Sequence, residues 1–521
     1  MPKDRYQLIV QNDCSRVYLV CSMLERLVFP INGPSMNHVS ELIDQRTATE
    51  APPLCVDLDH TLIRTDLLYE CLVLLAKRNV FAFLLLPFWL LRGRSYLKRQ
   101  LAVRVQPEVH HLPFRRDLMN FLEEQKAGGR RLLLVSAADE TLAKAVSERL
   151  GLFDEVIASN GHENVKGENK ARALVQRFGK AGFDYVGDSK SDFAVWRSAR
   201  RALVVTNSAR FVRSVETMTQ VEKVFPRSHS RFARLAKAFR VHQWSKNLLV
   251  FVPVITSHKI FDRHVLLGGL FAFLSFNLFC SGVYLVNDLL DLESDRRHPT
   301  KCLRPIASGD VSIFSAVLWA AVLLLGGVAI GLLCGADFLA VLAAYGIGNI
   351  AYSAWLKRIV MLDVVVLACF YSLRLLGGSA ATDIVCSEWL IAFSVFFFFC
   401  LALIKRYSEL RESLARTDNT KAGRGYMPID FEIVGIFGAG SGLISVLVLV
   451  LYVMSPDVRM LYHRPALLLL LCPLFLYWIT RIWIKARRGE VPEDPVVWAL
   501  RDRTSYIAGI LAALVLYAAT V

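Results

Sequence analysis

From residue 246 onward the chain consists of long apolar runs separated by short charged loops, the pattern of a domain that crosses a bilayer many times. The runs fall at 246–258, 265–286, 311–334, 336–354, 362–380, 388–404, 432–454, 465–483 and 505–521, nine in all. Most approach or exceed the ~18–20 residues needed to cross about 30 Å of hydrocarbon. The first is short enough to lie in the interface. If the basic stretch before residue 246 is cytoplasmic, loops 287–310, 355–361, 405–431 and 484–504 lie inside, and 259–264, 335, 381–387 and 455–464 lie outside. Lys and Arg crowd the first set, from Arg296, Arg297, Lys301 and Arg304 to Arg501 and Arg503, whereas the second holds Lys259, Arg263, Arg459 and Arg464. That bias follows the positive-inside rule. The formal net charge of +15 therefore belongs to membrane topology and anionic ligands, and nucleic acid is an unneeded explanation.

Residues 1–240 instead mix charged and apolar residues as a soluble domain does. Residues 1–35 lack the charged, apolar and small-residue order of a signal peptide. Met36 precedes a helix-like MNHVSELIDQ, an alternative start, and residues 1–50 read as a partly disordered extension. The eleven cysteines show no metal-ligand spacing, and several fall inside apolar runs as ordinary buried thiols.

Chemistry begins at LCVDLDHTLIRTD (54–66), where a buried strand leads into alternating aspartates. RRLLLVSAAD (130–139) is a second apolar strand ending at Ser136, KGENKARAL (166–174) opens a helix with lysines, and FDYVGDSKSDFAVW (183–196) is a third strand ending in acids. Acids, a hydroxyl and a lysine at the carboxyl ends of strands describe a phosphate-handling crevice of an open α/β sheet. The order DxDxT, Ser, Lys, GDxxxD over about residues 52–205 resembles the haloacid dehalogenase-like phosphatases. The resemblance implies a Rossmann-like fold with a helical cap, with Asp57 as nucleophile and Asp59 as general acid and base. Thr61 and Ser136 would hydrogen-bond the phosphoryl oxygens, and Lys170 would offset their charge, with Lys166 as its competitor. Asp188 with Asp57 would bind Mg²⁺, and Asp192 would support that site. A carboxylate attacks a dianionic phosphate only once cations neutralise their repulsion.

The cap, at about 65–115, contains NVFAFLLLPFWLLRGRSYLKRQLA (79–102). Its apolar part is too short to span, and Arg92, Arg94, Lys98 and Arg99 follow it. It reads either as a segment lying in the membrane interface or as an ordinary buried cap helix.

At the exit of the second apolar run, VNDLLDLESDRRHPTK (286–301) places Asp288, Asp291 and Asp295 at i, i+3 and i+7. At about 100° per residue these share one helical face, where they repel unless a cation joins them. Hard carboxylate oxygens indicate Mg²⁺ or Mn²⁺, shared with a diphosphate. NDxxDxxxD followed by RPIASG (304–309) resembles the UbiA superfamily of intramembrane prenyltransferases over about residues 235–521, the domain proper beginning at 240 after a basic linker, 206–239. Within it, RVHQWSKNLLVFVP (240–253), YSAWLKRIVMLD (352–363), IKRYSEL (404–410) and DPVVWALRDRTS (494–505) resemble the polyprenyl-phosphate phosphoribosyltransferases.

That resemblance implies an all-α membrane domain of a bacterial-type inner membrane protein, with both active sites cytoplasmic. Asp288, Asp291 and Asp295 would hold the metal. Asn287, Gln243, Lys246, Lys301, Arg304, Tyr352, Lys357, Arg358, Asp363, Lys405 and Arg406 would contact substrate. The second loop carries only Asp363 beside Lys357 and Arg358. Aromatic prenyltransferases of the superfamily carry a second acidic cluster there. One acidic and one basic cluster suit phosphoribosyl pyrophosphate, with polyprenyl phosphate as the acceptor. The phosphatase would then remove the 5-phosphate of the lipid-linked product. The competing reading joins a polyprenyl diphosphate to an aromatic acceptor, with the phosphatase unrelated or regulatory. The sequence leaves homo-oligomerisation open.

Overall fold

The computed structural model describes residues 51–161, 163–226, 231–415, 425–491 and 494–521. The expected N-terminal extension, 1–50, with its alternative start at Met36, lies outside the described residues.

Six short runs rich in Leu and Val form one parallel sheet: β1 Leu54–Val56, β2 Leu132–Asp139, β3 Glu155–Ser159, β4 Asp184–Gly187, β5 Arg201–Val205 and β6 Gln220–Phe225. The strand order is β3-β2-β1-β4-β5-β6. β1 and β4 are buried along their whole length, as expected for strands covered on both faces by helices. The order reverses between β1 and β4, where such sheets open a crevice. Both acidic motifs emerge there. The sheet also runs past residue 205, where the basic linker was expected to begin. Ala209–Glu216 is a helix and β6 pairs with β5 in parallel, so these residues complete the α/β domain.

Between β1 and β2 the chain makes an excursion whose two ends are joined by an antiparallel bridge, Ile63 to Phe114. It contains helices Leu67–Arg78, Leu86–Leu91 and Arg94–Arg104. Trp89 and Ala82 pack inward, while Phe81, Leu84, Phe88 and Leu91 are exposed. The segment is therefore not an ordinary buried cap helix. It presents an apolar outer surface.

Among the described residues, seven helices are long and apolar enough to cross a membrane: Arg263–Leu290, Ile313–Cys334, Leu362–Thr382, Glu388–Glu412, Pro428–Met454, Pro465–Arg488 and Arg503–Thr520. Two of the nine expected spans are not among them. Residues 246–258 fall in a 3₁₀ stretch, Val241–Phe251, and a short helix, Val252–Thr256. Ala336–Ala354 is helical, but Asp337, Tyr345, Asn349 and Tyr352 dilute its apolar character.

The α/β half and the helical half meet through a buried ion pair. Arg296 donates Nη1 and Nη2 to the two oxygens of Glu70 at 2.9 and 2.6 Å, with both side chains almost fully buried. Thr65 donates to Glu70 at 2.5 Å, and Arg296 Nε donates to the Ala307 carbonyl at 3.0 Å, so the pair is well satisfied. Tyr69 and Val73 pack against the cluster of Ile306, Ala307 and Val311. Gly309 has a φ of +72°, and a Cβ there would stand 2.5 Å from Arg64 Cβ. RPIASG thus ends in glycine where the loop after β1, at Arg64, touches it.

Arg296→Met would strand Glu70 as a buried charge, at a cost of about 3–5 kcal/mol. We expect a clearly lowered melting temperature for the detergent-solubilised full-length protein. The Glu70→Leu/Arg296→Met pair should recover most of the loss.

Candidate active sites

β1 ends at Val56, and Asp57 begins a tight loop in which His60 takes a left-handed φ of 59°. Arg115 holds that loop from below, donating Nε to the Thr61 carbonyl at 3.2 Å and Nη2 to the His60 carbonyl at 3.4 Å. Thr61 Oγ1 then lies 3.3 Å from Asp57 and 3.5 Å from Asp188. Lys170, buried in helix Glu168–Phe178, donates to Asp57 Oδ1 at 2.6 Å, whereas Lys166 is exposed. The geometry therefore brings Lys170 and not Lys166 to Asp57.

Asp192 accepts from the Ser189 backbone N–H and hydroxyl at 3.1 and 3.0 Å. It also accepts from the Tyr185 hydroxyl at 2.9 Å, which in turn accepts from Lys170 at 2.8 Å. One oxygen from each of Asp57, Asp188 and Asp192 lies within 4.8 Å of the others, a donor set that suits a hard divalent cation. Burial pushes the Asp57 carboxyl up to about 6, with Lys170 pulling it down. Burial works to lower Lys170, but Asp57 and Asp192 outweigh it and leave its pKa raised.

Asp59 turns away from this cluster toward the cap. It accepts from the Leu67 N–H at 2.9 Å and lines a small void with Lys98, Ala138 and Asp139. Burial, reinforced by Asp66, raises its pKa well above the usual carboxylate range, which favours the protonated acid. Ser136 is fully buried, its hydroxyl accepting from the Ala138 N–H at 3.0 Å. Sequence reasoning missed Arg115 and Tyr185. Tyr185 stands out only through its register opposite Cys55 inside β4.

In the helical half, the acid triplet does not stay on one helix. Helix Arg263–Leu290 ends before Asp291, whose φ of −91° and ψ of 7° break the run, and Leu292–Arg297 starts afresh. Each acid meets a cation. Arg240 reaches Asp288 at 2.5 Å; Arg304 spans Asp288 at 3.3 Å and Asp295 at 2.6 Å; Lys357 reaches Asp291 at 3.2 Å. Among the described residues these carboxylates do not converge as closely as those of the α/β site. Asn287 accepts from the Ser353 hydroxyl at 2.9 Å, drawing the second loop onto the same helix end. Lys246 is paired with Asp494 from the last loop. Gln243 and Tyr352 are half-buried nearby in sequence to these groups, Tyr352 against Phe370, and Arg358 is exposed.

Arg406 and Asp363 depart from expectation. Asp363 is fully buried, accepting from Arg406 Nη2 at 2.5 Å and from the Tyr426 hydroxyl at 2.7 Å, and Arg406 also pairs with Glu409. Two groups expected to bind substrate bind each other, because a lone buried charge on either helix would be costly. Sequence reasoning did not single out Arg240 as a site residue, although it opens RVHQWSKN. It also missed Arg374, which is buried with Asn247 at 2.6 Å and the Tyr345 hydroxyl at 3.1 Å.

The model of the UbiA prenyltransferase family matches residues 249–501, and that of the haloacid dehalogenase-like hydrolases matches residues 54–197. An uncharacterized protein of Sinorhizobium fredii, y4nM, is 37% identical over 88% of this chain and 90% of its own. The chain belongs to the UbiA prenyltransferase family. It carries a haloacid dehalogenase-like domain at its N-terminal side. A decaprenyl-phosphate phosphoribosyltransferase of Mycolicibacterium smegmatis is 36% identical over 34% of this UbiA-family chain and 57% of its own length. A UbiA homolog from Archaeoglobus fulgidus, solved with GPP and Mg²⁺, covers 55% of the chain and 97% of its own, at 19% identity and a TM-score of 0.43. The apolar helices and the family together make this an integral membrane protein.

Two outcomes test these assignments. Lys170→Ala should lower phosphatase turnover by about 100-fold or more, with Lys166→Ala near wild type, in an assay of phosphate release. Arg406→Gln should lower the melting temperature, by about 3–5 kcal/mol of lost stability, ahead of any selective rise in KM.

Proposed function

We propose that the helical half transfers 5-phosphoribose from phosphoribosyl pyrophosphate to a polyprenyl phosphate, and that the α/β half removes the 5-phosphate from the product. The observation that carries the reading is the fate of Asp363. It is the one acid of the second loop, and Arg406 and Tyr426 consume it, so a single acidic cluster remains for metal. That suits one metal-bound diphosphate and argues against a second metal-holding cluster for an allylic diphosphate. The similarity to a decaprenyl-phosphate phosphoribosyltransferase supports the same choice.

In this reading Asp288, Asp291 and Asp295 would hold Mg²⁺ or Mn²⁺, which when bound would supply positive charge to the leaving diphosphate. Arg240, Arg304 and Lys357, now paired with those acids, are placed to take up phosphate oxygens as the acids turn to metal. An oxygen of the polyprenyl phosphate, mostly ionised near pH 7 because its second pKa is about 6, attacks the anomeric carbon. The bond from that carbon to pyrophosphate breaks, and no strong base is needed. Lys246, Lys301 and Lys405 supply further positive charge at the same membrane face.

In the α/β half, Asp57 attacks the phosphorus of the 5-phosphate while Asp59 protonates the departing sugar oxygen. Asp59 then activates the water that cleaves the aspartyl-phosphate. Mg²⁺ held by Asp57 and Asp188, supported by Asp192, would offset the phosphate's charge together with Lys170. The exposed apolar surface of Phe81, Leu84, Phe88 and Leu91 supports a seat in the membrane interface, where a lipid-linked substrate would be met. Both sites would face the cytoplasm of a bacterial-type inner membrane.

With labelled phosphoribosyl pyrophosphate and polyprenyl phosphate, the wild type should yield a dephosphorylated lipid-linked ribose. Asp57→Asn should accumulate the phosphorylated form, read by lipid extraction and phosphate analysis. Identical lipid products from both proteins would overturn the consecutive-step reading.

A further inference from the structure

A cavity of about 440 Å³ opens beside the phosphatase site, and one of its walls belongs to the other half of the protein. His60, Arg115 and the metal-site residue Asp188 line it from the α/β side, as does Arg64. The opposite wall is Arg234 of helix Arg231–Ala238 with Gly309, Asp310 and Trp319. A phosphatase acting on small soluble esters has no need of a wall built by a transferase.

The charges on that wall are specific. Arg64 and Arg234 both approach Asp310: Arg64 at 3.4 Å from its carboxylate, and Arg234 through a 2.7 Å bond to its main-chain carbonyl. Asp310 also accepts from the Ser308 hydroxyl at 3.0 Å. Among the described residues Arg234 has no carboxylate partner. The Nε atoms of Arg64 and Arg234 are buried without a hydrogen-bond partner. A buried donor without an acceptor is costly, more so on a charged group, and an anionic oxygen relieves it best. The two arginines that carry these donors line one cavity, next to the proposed phosphomonoester site.

We infer that this cavity recognises a second phosphate of the substrate, the phosphodiester that links the sugar to its lipid, with Arg234 as its principal ligand and Arg64 beside it. The inference rests on the proposed function and adds to it. The phosphatase selects a monoester that carries a diester a few bonds away, and the selection is made by residues outside the haloacid dehalogenase-like domain. Arg234 is a specificity residue and takes no part in bond cleavage.

Three probes separate the contributions: ribose 5-phosphate, a 1-O-alkyl ribose 5-phosphate, and a short-chain prenyl-phosphoryl ribose 5-phosphate. Each is offered to full-length protein in detergent with Mg²⁺. The wild type should favour the diester over the alkyl riboside by at least tenfold in kcat/KM. Arg234→Gln should collapse that preference to less than threefold, and Arg234→Lys should restore part of it. A preference that survives Arg234→Gln overturns this inference alone. A wild type that cleaves ribose 5-phosphate but neither lipid-linked probe overturns the proposed function with it.

Discussion

Asp288, Asp291 and Asp295 crowd the point where helix Arg263–Leu290 gives way to Leu292–Arg297, and like charges so close cannot stand uncompensated. The compensation comes from three separate parts of the chain. Arg240 arrives from the segment that precedes the first membrane helix, Arg304 from RPIASG, and Lys357 from the second loop. The acids thus gather the loops that shape the transferase site. Without them, each of those loops would carry an unneutralised cation at the same membrane face.

The α/β site handles the same problem differently. There three carboxylates draw together within 4.8 Å around a single lysine, with Tyr185 and the Ser189 amide absorbing part of the charge. Negative charge is left in excess, and a divalent cation is the natural remedy. In the helical half each acid of the triplet already meets a cation. An anionic ligand or a cation entering there would have to exchange with these ion pairs, whereas the three acids of the α/β site already lie close enough together to share one cation.

The chain's division into an α/β half and a membrane half was legible, because apolar runs and strand-loop-acid motifs are local signals. The proximity of Asp57, Lys170 and Asp188 was legible for a related reason: two strand ends carry the acids and the start of helix Glu168–Phe178 carries the lysine. What escaped was set by tertiary partnership. Nothing local distinguishes Arg406, which is tied to Asp363, from Lys357, which reaches the acid triplet. A helical projection placed the three acids on one face, but it assumed a helix that continues, and this one breaks at Asp291. The strand β6 was hidden in a stretch whose arginines and lysines read as a linker, since an edge strand tolerates charge on its open face. Arg374 was invisible because its partners, Asn247 and Tyr345, are supplied by other helices.

The ten residues from Lys301 to Asp310 matter to both sites at once. At one end Arg304 bridges two acids of the transferase triplet; at the other Gly309 and Asp310 press against Arg64 of the phosphatase loop. Arg296, next in sequence to Asp295, closes the joint with Glu70. A flexible tether would hold two enzymes near each other and leave their orientation free. Here the phosphatase instead contacts the very loop that neutralises the transferase acids, through a glycine that tolerates no side chain. Packing at Glu70–Arg296 and at Gly309 sets the orientation of the two halves. Proximity alone would raise local concentration; a set orientation would also fix the direction in which any shared molecule passes between the two sites.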